Sequence, residues 1–175
     1  MSGFDVKVAG NIGTILGPIS SLAAGGGRQA LQEGLSDGGD KVRTKVRKAV
    51  RAQTNPLKYE TITSRVDGKR FGLAYIIKGD GKKTPIALFP HSVAGAVTAA
   101  PWGVSRTFKR SFVRPDTGAL SARTTSKRFP VRKLYGPNMA KEVVKGQSLA
   151  AFEAGASTDV LPAIERRLAR LLAKG

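Results

Sequence analysis

The chain has 175 residues, 41% of them hydrophobic, enough for one domain with a buried core and attached arms. Thirty Lys and Arg stand against twelve Asp and Glu, a net charge of +18 that calls for an anionic partner such as nucleic acid, an anionic membrane or an acidic protein surface. No cysteine is present and His91 is the one histidine, which removes disulfides, thiolate metal sites, thiol catalysis and two-histidine metal centres.

Residues 1–27 are rich in glycine and small residues and end in Gly25-Gly26-Gly27. They read as a flexible arm with one short helix near 15–24. The apolar run 12–24 is broken by Gly13, Gly17 and Pro18, and only Lys7 precedes it. It therefore reads as neither a signal peptide nor a membrane span, and cytoplasmic synthesis is expected.

Residues 28–53 predict a helix, because Leu31, Leu35, Val42, Val46, Ala49 and Val50 keep helical spacing. Lys41, Arg43, Lys45, Arg47, Lys48 and Arg51 surround that stripe as a basic ring. The ring suits contact with DNA backbone or the lining of a pore, and equally a solvated helix back. Gly38-Gly39 predicts a kink or break, since two glycines cost roughly 2 kcal/mol of helix stability against alanine. Asn55-Pro56 ends the helix, because the residue before proline avoids helical backbone angles.

Residues 59–79 predict a β-hairpin. Its first strand, 59–66, carries Thr61, Ile62, Thr63 and Val66; Asp67-Gly68 is the turn signal. The return strand places Phe71, Leu73, Tyr75 and Ile77 on one inward face. Gly79-Asp80-Gly81 with Lys82-Lys83 makes a polar loop that lacks P-loop spacing. Residues 84–90 read as a short apolar strand, 91–100 as loop and strand, and Trp102 as a core or interface anchor.

Residues 102–137 set Val104, Phe108, Phe112, Phe129, Val131 and Leu134 among Arg106, Lys109, Arg110, Arg114, Arg123, Lys127, Arg128, Arg132 and Lys133. Alternation predicts a sheet with one face on a core and a strongly positive face turned to water or a partner. Leu134-Tyr135-Gly136-Pro137 stops the sheet. A helix over 137–156 follows, with Asn138 near its start and Met139, Val143 and Val144 inward. A second helix over 157–174 is capped by Ser157, Thr158 or Asp159 and shows the stripe Val160, Ile164, Leu168, Leu171 and Leu172. Arg166, Arg167, Arg170 and Lys174 lie off that stripe, toward the helix end that favours cations. This helix is expected to pack on its own domain.

The expected organisation is an arm (1–27), an α+β domain (28–156) and a C-terminal amphipathic helix (157–175). The expected fold class is α+β: a mostly antiparallel sheet, of about four to six strands, packed against a long basic N-terminal helix, with C-terminal helices. The acidic residues form no D-x-D or paired-carboxylate signature, Gly-x-Ser-x-Gly is absent, and no motif surrounds His91. An enzyme is therefore the weakest class, and no cofactor or metal is expected. Zinc-finger, helix-turn-helix and basic-zipper patterns are absent as well, which leaves non-specific phosphate contact by spaced cations.

Two segments carry a family resemblance. The run Trp102-Gly103-Val104-Ser105-Arg106-Thr107-Phe108-Lys109-Arg110-Ser111-Phe112 is the first. The second is Arg128-Phe129-Pro130-Val131-Arg132-Lys133-Leu134-Tyr135-Gly136-Pro137-Asn138. Together they resemble the phage minor tail protein Z family, the tail completion proteins of long-tailed bacteriophages. The family pattern is an aromatic-basic strand ending in Phe, an Arg-rich strand, a Leu-Pro-Ile-like triplet, a Leu-x-Gly-Pro stop and a short helix. Here the triplet is Phe129-Pro130-Val131. The basic helix at 41–51 is similar to the family's long first helix. The arm 1–27 and the helix 157–174 lie outside the pattern.

The resemblance implies a structural virion protein at the head-proximal end of the tail, assembled in the host cytoplasm. It implies a ring of copies, a hexamer as among neck proteins, beside the tail terminator and head-tail connector proteins. Phage DNA would pass through non-specifically, with no membrane involved. The interface or DNA-channel candidates are Arg106, Lys109, Arg110, Arg128, Arg132 and Lys133, with Trp102 and Tyr135 as anchors and Lys45, Arg47 and Arg51 from the helix. The rival reading is a non-specific nucleic-acid-binding protein acting as a free subunit.

Overall fold

A computed structural model of the chain describes residues 26–172. The expected arm lies outside the described residues up to residue 25, as does Lys174. Helix α1 (Gly26–Thr54) leads to a single turn, α2 (Glu60–Thr63), and a hairpin of β1 (Val66–Phe71) and β2 (Ala74–Gly79). Strand β3 (Lys83–Pro85) and a 3-10 turn at Ile86–Leu88 precede β4 (His91–Ala94) and β5 (Ala96–Ala99). After a 3-10 turn at Pro101–Gly103 come β6 (Arg106–Phe108), β7 (Ser111–Val113), β8 (Leu120–Arg123), β9 (Val131–Lys133) and β10 (Tyr135–Asn138). The chain finishes in α3 (Met139–Val143), α4 (Gly146–Gly155), a π-helical turn (Ala156–Val160) and α5 (Leu161–Leu172).

The fold is α+β, with a long N-terminal helix, antiparallel strands and C-terminal helices. Among the described residues the strands form small antiparallel sheets, β1-β2, β10-β3, β4-β5-β6 and β7-β8-β9, in place of one continuous sheet. The β1-β2 hairpin is the part that packs on α1. Two apolar clusters follow from this division. The larger joins Leu31, Leu35, Val42, Val46 and Val50 of α1 to Ile62, Val66, Ile77, Phe89, Met139, Val143, Val160 and Ile164. The smaller holds Ile86, Val97, Ala99, Leu120, Ala122 and Leu134 under the three-stranded sheets.

Helix α1 runs unbroken through Gly38-Gly39. Gly34 and Gly38, one turn apart, are where the C-terminal helical segment comes closest. A Cβ at Gly34 would lie 2.6 Å from the Ile164 Cα, and one at Gly38 2.5 Å from the Val160 Cα. Gly39 lies against the Tyr75 ring, where a Cβ would come within 2.1 Å of Cδ2. Burying Val42, Val46 and Val50 contributes about 1.5–3 kcal/mol each, which outweighs roughly 1 kcal/mol lost per glycine. The glycines are packing surfaces, and the expected kink does not form. The helix ends at Asn55, whose φ is +51°, just before Pro56.

The hairpin turns at Gly72-Leu73, where Phe71 pairs with Ala74, and not at Asp67-Gly68. Gly68 sits within β1 because a Cβ there would meet the Tyr75 ring at 2.9 Å and the Arg43 side chain at 3.0 Å. Gly72, with φ +61°, takes the turn. The first half of the expected strand is the turn of helix α2. Phe71, Leu73, Tyr75 and Ile77 do not share an inward face. Ile77 is buried, Tyr75 is half-buried, and Phe71 is 79% exposed at the hairpin tip.

Residues 91–100 form a second hairpin about Gly95, and 84–90 hold only the short β3 and a 3-10 turn. The helix expected over 137–156 is two helices, interrupted at Val144-Lys145 before Gly146, whose φ is +58°. Asn138 does cap the first, its side-chain oxygen accepting from the Lys141 N–H at 3.4 Å. Ser157, Thr158 and Asp159 cap nothing, because the backbone stays helical through the π turn. Ser157 and Thr158 donate instead to the Ala154 carbonyl. Helix α5 packs along α1.

Candidate polyanion interface

The positive charge is divided unevenly along the chain. In the helical half several cations meet acids. Arg43 lies 3.2 Å from Asp40, Lys45 2.5 Å from Asp159, and Arg65 3.6 Å from Asp80. Arg167 bridges Glu33 at 2.9 Å and Asp37 at 2.6 Å, and its guanidinium is held above its ordinary pKa chiefly by the Asp37 hydrogen bond. From residue 84 to 137 the sequence holds nine Lys and Arg (Arg106, Lys109, Arg110, Arg114, Arg123, Lys127, Arg128, Arg132, Lys133) but one acid, Asp116. Asp116 pairs with Arg114 through two hydrogen bonds, 3.0 and 2.5 Å, which hold its carboxyl below the usual range. The other eight make no ion pair with any described acid.

The helix candidates behave accordingly. Arg47 donates to the Val66 carbonyl at 2.7 Å and the Thr63 carbonyl at 3.3 Å, and reaches Asp67 at 3.4 Å. Arg43 donates to the Gly68 carbonyl at 3.0 Å. These two arginines fasten the hairpin to α1. Lys45 holds Asp159 on the π turn, and that hydrogen bond is the largest cause of a carboxyl pKa below the usual range. Lys45 and Arg47 thus already hold partners within the fold, Lys45 from an exposed position. Arg51 stays exposed, 5.5 Å from the Tyr59 ring centroid.

Arg106, Lys109, Arg110, Arg128, Arg132 and Lys133 are all exposed in the strand half. The register corrects how they are arranged. Phe112, Ser121 and Lys133 are opposite one another across β7-β8-β9, so Phe112, Arg123, Val131 and Lys133 share one face. Ser111, Leu120, Ala122 and Arg132 share the other, which continues to Leu134 and the small core. In β4-β5-β6, Arg106 and Phe108 lie on the same face as Val97 and Ala99. The expected separation of apolar and basic residues onto opposite faces thus fails in both sheets. Adjacent basic residues such as Arg132-Lys133 must point to opposite sides. Val104 and Phe129, expected in the core, are 58% and 67% exposed. Phe129 precedes a cis proline in the β8–β9 loop.

Cations and aromatic rings are interleaved instead. Arg106 lies 5.7 Å from the Trp102 ring centroid, Arg123 4.8 Å from Phe112, Arg128 5.7 Å from Phe129, and Lys83 5.6 Å from Tyr135. Lys109 and Arg110 occupy the turn between β6 and β7, where Arg110 has φ +56°. Trp102, with φ +61°, is anchored by its indole N–H, which donates to Glu142 Oε1 at 3.0 Å. Glu142 is buried and also accepts from Gln53 at 2.5 Å and pairs with Lys145 at 2.9 Å. This carboxylate ties the tryptophan turn to the end of α1 and to the α3–α4 junction. Sequence reasoning missed it, along with Lys83. The i,i+3 spacing of Glu142 and Lys145 was the legible signal; the Trp102 contact, 40 residues away, had none.

Among the described residues no group of three or more His, Asp or Glu could hold a metal ion, and no helix is long and apolar enough to cross a membrane. No protein-family model, curated protein or solved structure matches the chain.

Proposed function

We propose that this chain is a non-catalytic structural protein of a long-tailed phage virion. It completes the head-proximal end of the tail and supports head-tail joining around the DNA channel as a ring of its own copies. The observation that carries the reading is how the charge is paired: several cations of the helical half hold acids, while eight of the nine from Arg106 to Lys133 have no acidic partner among the described residues. Such a surface repels its own copies at close range and is stable in an assembly only when acidic neighbours or DNA face it. The resemblance of 102–138 to the tail completion family supports the placement in the neck.

Electron microscopy of the purified chain and of virions tests this. Rings, and density for the chain at the neck, are the expected result. A monomer that occupies no position in the neck overturns it. A second reading, a non-specific nucleic-acid-binding subunit, is favoured by the aromatic rings set beside these cations. It predicts tight binding by the free subunit, with a steep loss of affinity as salt rises.

A further inference from the structure

We infer that the strand half binds single-stranded nucleic acid, with unpaired bases stacking on Phe129, Tyr135 and Trp102. The inference rests on the reading of this surface as a polyanion-docking face and goes beyond it in naming the ligand. Each of the three rings has a cation over one face, Arg128, Lys83 and Arg106 respectively, and each ring remains open to solvent: 67% for Phe129, 43% for Tyr135 and 37% for Trp102.

Three exposed aromatic rings, each with a cation beside it, suit a flat partner carrying negative charge. Acidic protein or duplex backbone would use the cations alone, since paired bases hide their faces. An unpaired strand offers both a π-face and a phosphate at every step.

The topology supports a linear ligand. Strand β9 is the edge of its sheet and leads through buried Leu134 directly into β10, which among the described residues pairs with β3 alone. Val131, Lys133 and Tyr135 alternate with Arg132 and Leu134 along this run. Phe129 and Tyr135 thus lie six residues apart along the chain, a span of at most roughly 20 Å. The 3-10 turn carrying Trp102 packs against β10. Lys133, between the outer rings, is placed for phosphate.

The test is fluorescence anisotropy of the full chain with labelled oligothymidylate, oligouridylate, a DNA duplex, polyphosphate and polyglutamate, with Trp102 emission followed in parallel. Anionic vesicles are assayed by co-sedimentation. The single strands are expected to bind more tightly per charge than duplex, polyphosphate or polyglutamate, and to quench the sole tryptophan. Phe129→Ala and Tyr135→Ala should each weaken single-strand binding by at least about fivefold while leaving polyphosphate binding unchanged. Phe129→Leu, which keeps apolar bulk without a ring, should weaken it as much as alanine, and circular dichroism should show all variants folded. Lys133→Ala should weaken every polyanion. Equal binding of polyphosphate and single strands, or ring variants without effect, overturns the stacking site but leaves the docking face standing. Phe129-dependent vesicle binding without oligonucleotide binding overturns it in favour of lipid. Failure of every polyanion to bind removes both.

Discussion

Arg47 and Lys48 are neighbours in a run of cations, yet they do different things. The Arg47 guanidinium satisfies two backbone carbonyls of the hairpin region, at 2.7 and 3.3 Å. Lys48 is exposed. Arg47→Ala should lower unfolding stability by about 1–3 kcal/mol in urea titrations, and Lys48→Ala should shift it by less than about 0.5 kcal/mol. Asp159 belongs to the same scale. Its folded pKa is depressed by Lys45, so the stabilisation is fully present above the unfolded carboxylate value of about 3.9 and disappears as pH falls through the lower folded value. Lys45 is half exposed, which limits the pair to less than about 1 kcal/mol. Asp159→Asn should therefore cost little at neutral pH and flatten the loss of stability between about pH 4 and the acid limit, measured as urea midpoint against pH. None of these roles can be read from residue type, because lysines and arginines with and without partners have identical local sequence signals.

Between elements, the contact of α1 with the C-terminal helix depends on two hydrogens standing where side chains would be. Gly34→Ala and Gly38→Ala should each cost about 1–3 kcal/mol or more, despite a gain near 1 kcal/mol in helix propensity. Their would-be methyl groups collide with backbone, at Ile164 and Val160, and backbone cannot rotate away. Gly72→Ala is the contrasting case. Nothing lies within 4 Å of its would-be Cβ, so its penalty is the left-handed backbone alone, about 1–2 kcal/mol. Calorimetric melting of the three variants checks the order. The helix stripe of α1 and the amphipathic α5 were legible because heptad-like spacing is local. The hairpin turn was misplaced because Asp67-Gly68 carries a strong turn signal, which packing under Tyr75 overrides.

For the whole molecule, the proposed assembly should be governed by ionic conditions, because eight of the nine cations in 84–137 have no acidic partner among the described residues. Joining of the proposed ring to acidic neighbours should weaken at high salt through screening. It should also weaken at low pH, where neighbouring carboxylates take up protons and lose their charge while the lysines and arginines keep theirs. Ring and complex formation followed by light scattering across salt and pH would expose the account as wrong if it responded to neither. Arg128→Ala combined with Arg132→Ala should leave the melting temperature within about a degree or two, because both side chains are exposed and lack acidic partners. The same double variant should reduce head-tail joining in an in vitro complementation assay. Normal joining would remove these arginines from the interface.

Composition and spacing by themselves determined the α+β class, the long basic helix, the Asn138 start of α3, the amphipathic last helix and the concentration of charge in 102–137. These follow from short-range rules of periodicity, capping and sign of charge. Only the tertiary structure decided which cations are neutralised, that Gly34, Gly38 and Gly39 serve contact instead of breaking a helix, and that Glu142 holds Trp102. It also decided that apolar and basic residues share faces in small sheets. Each of these depends on distant residues being brought within a few ångströms, and pairing of that kind leaves no local trace in the order of amino acids.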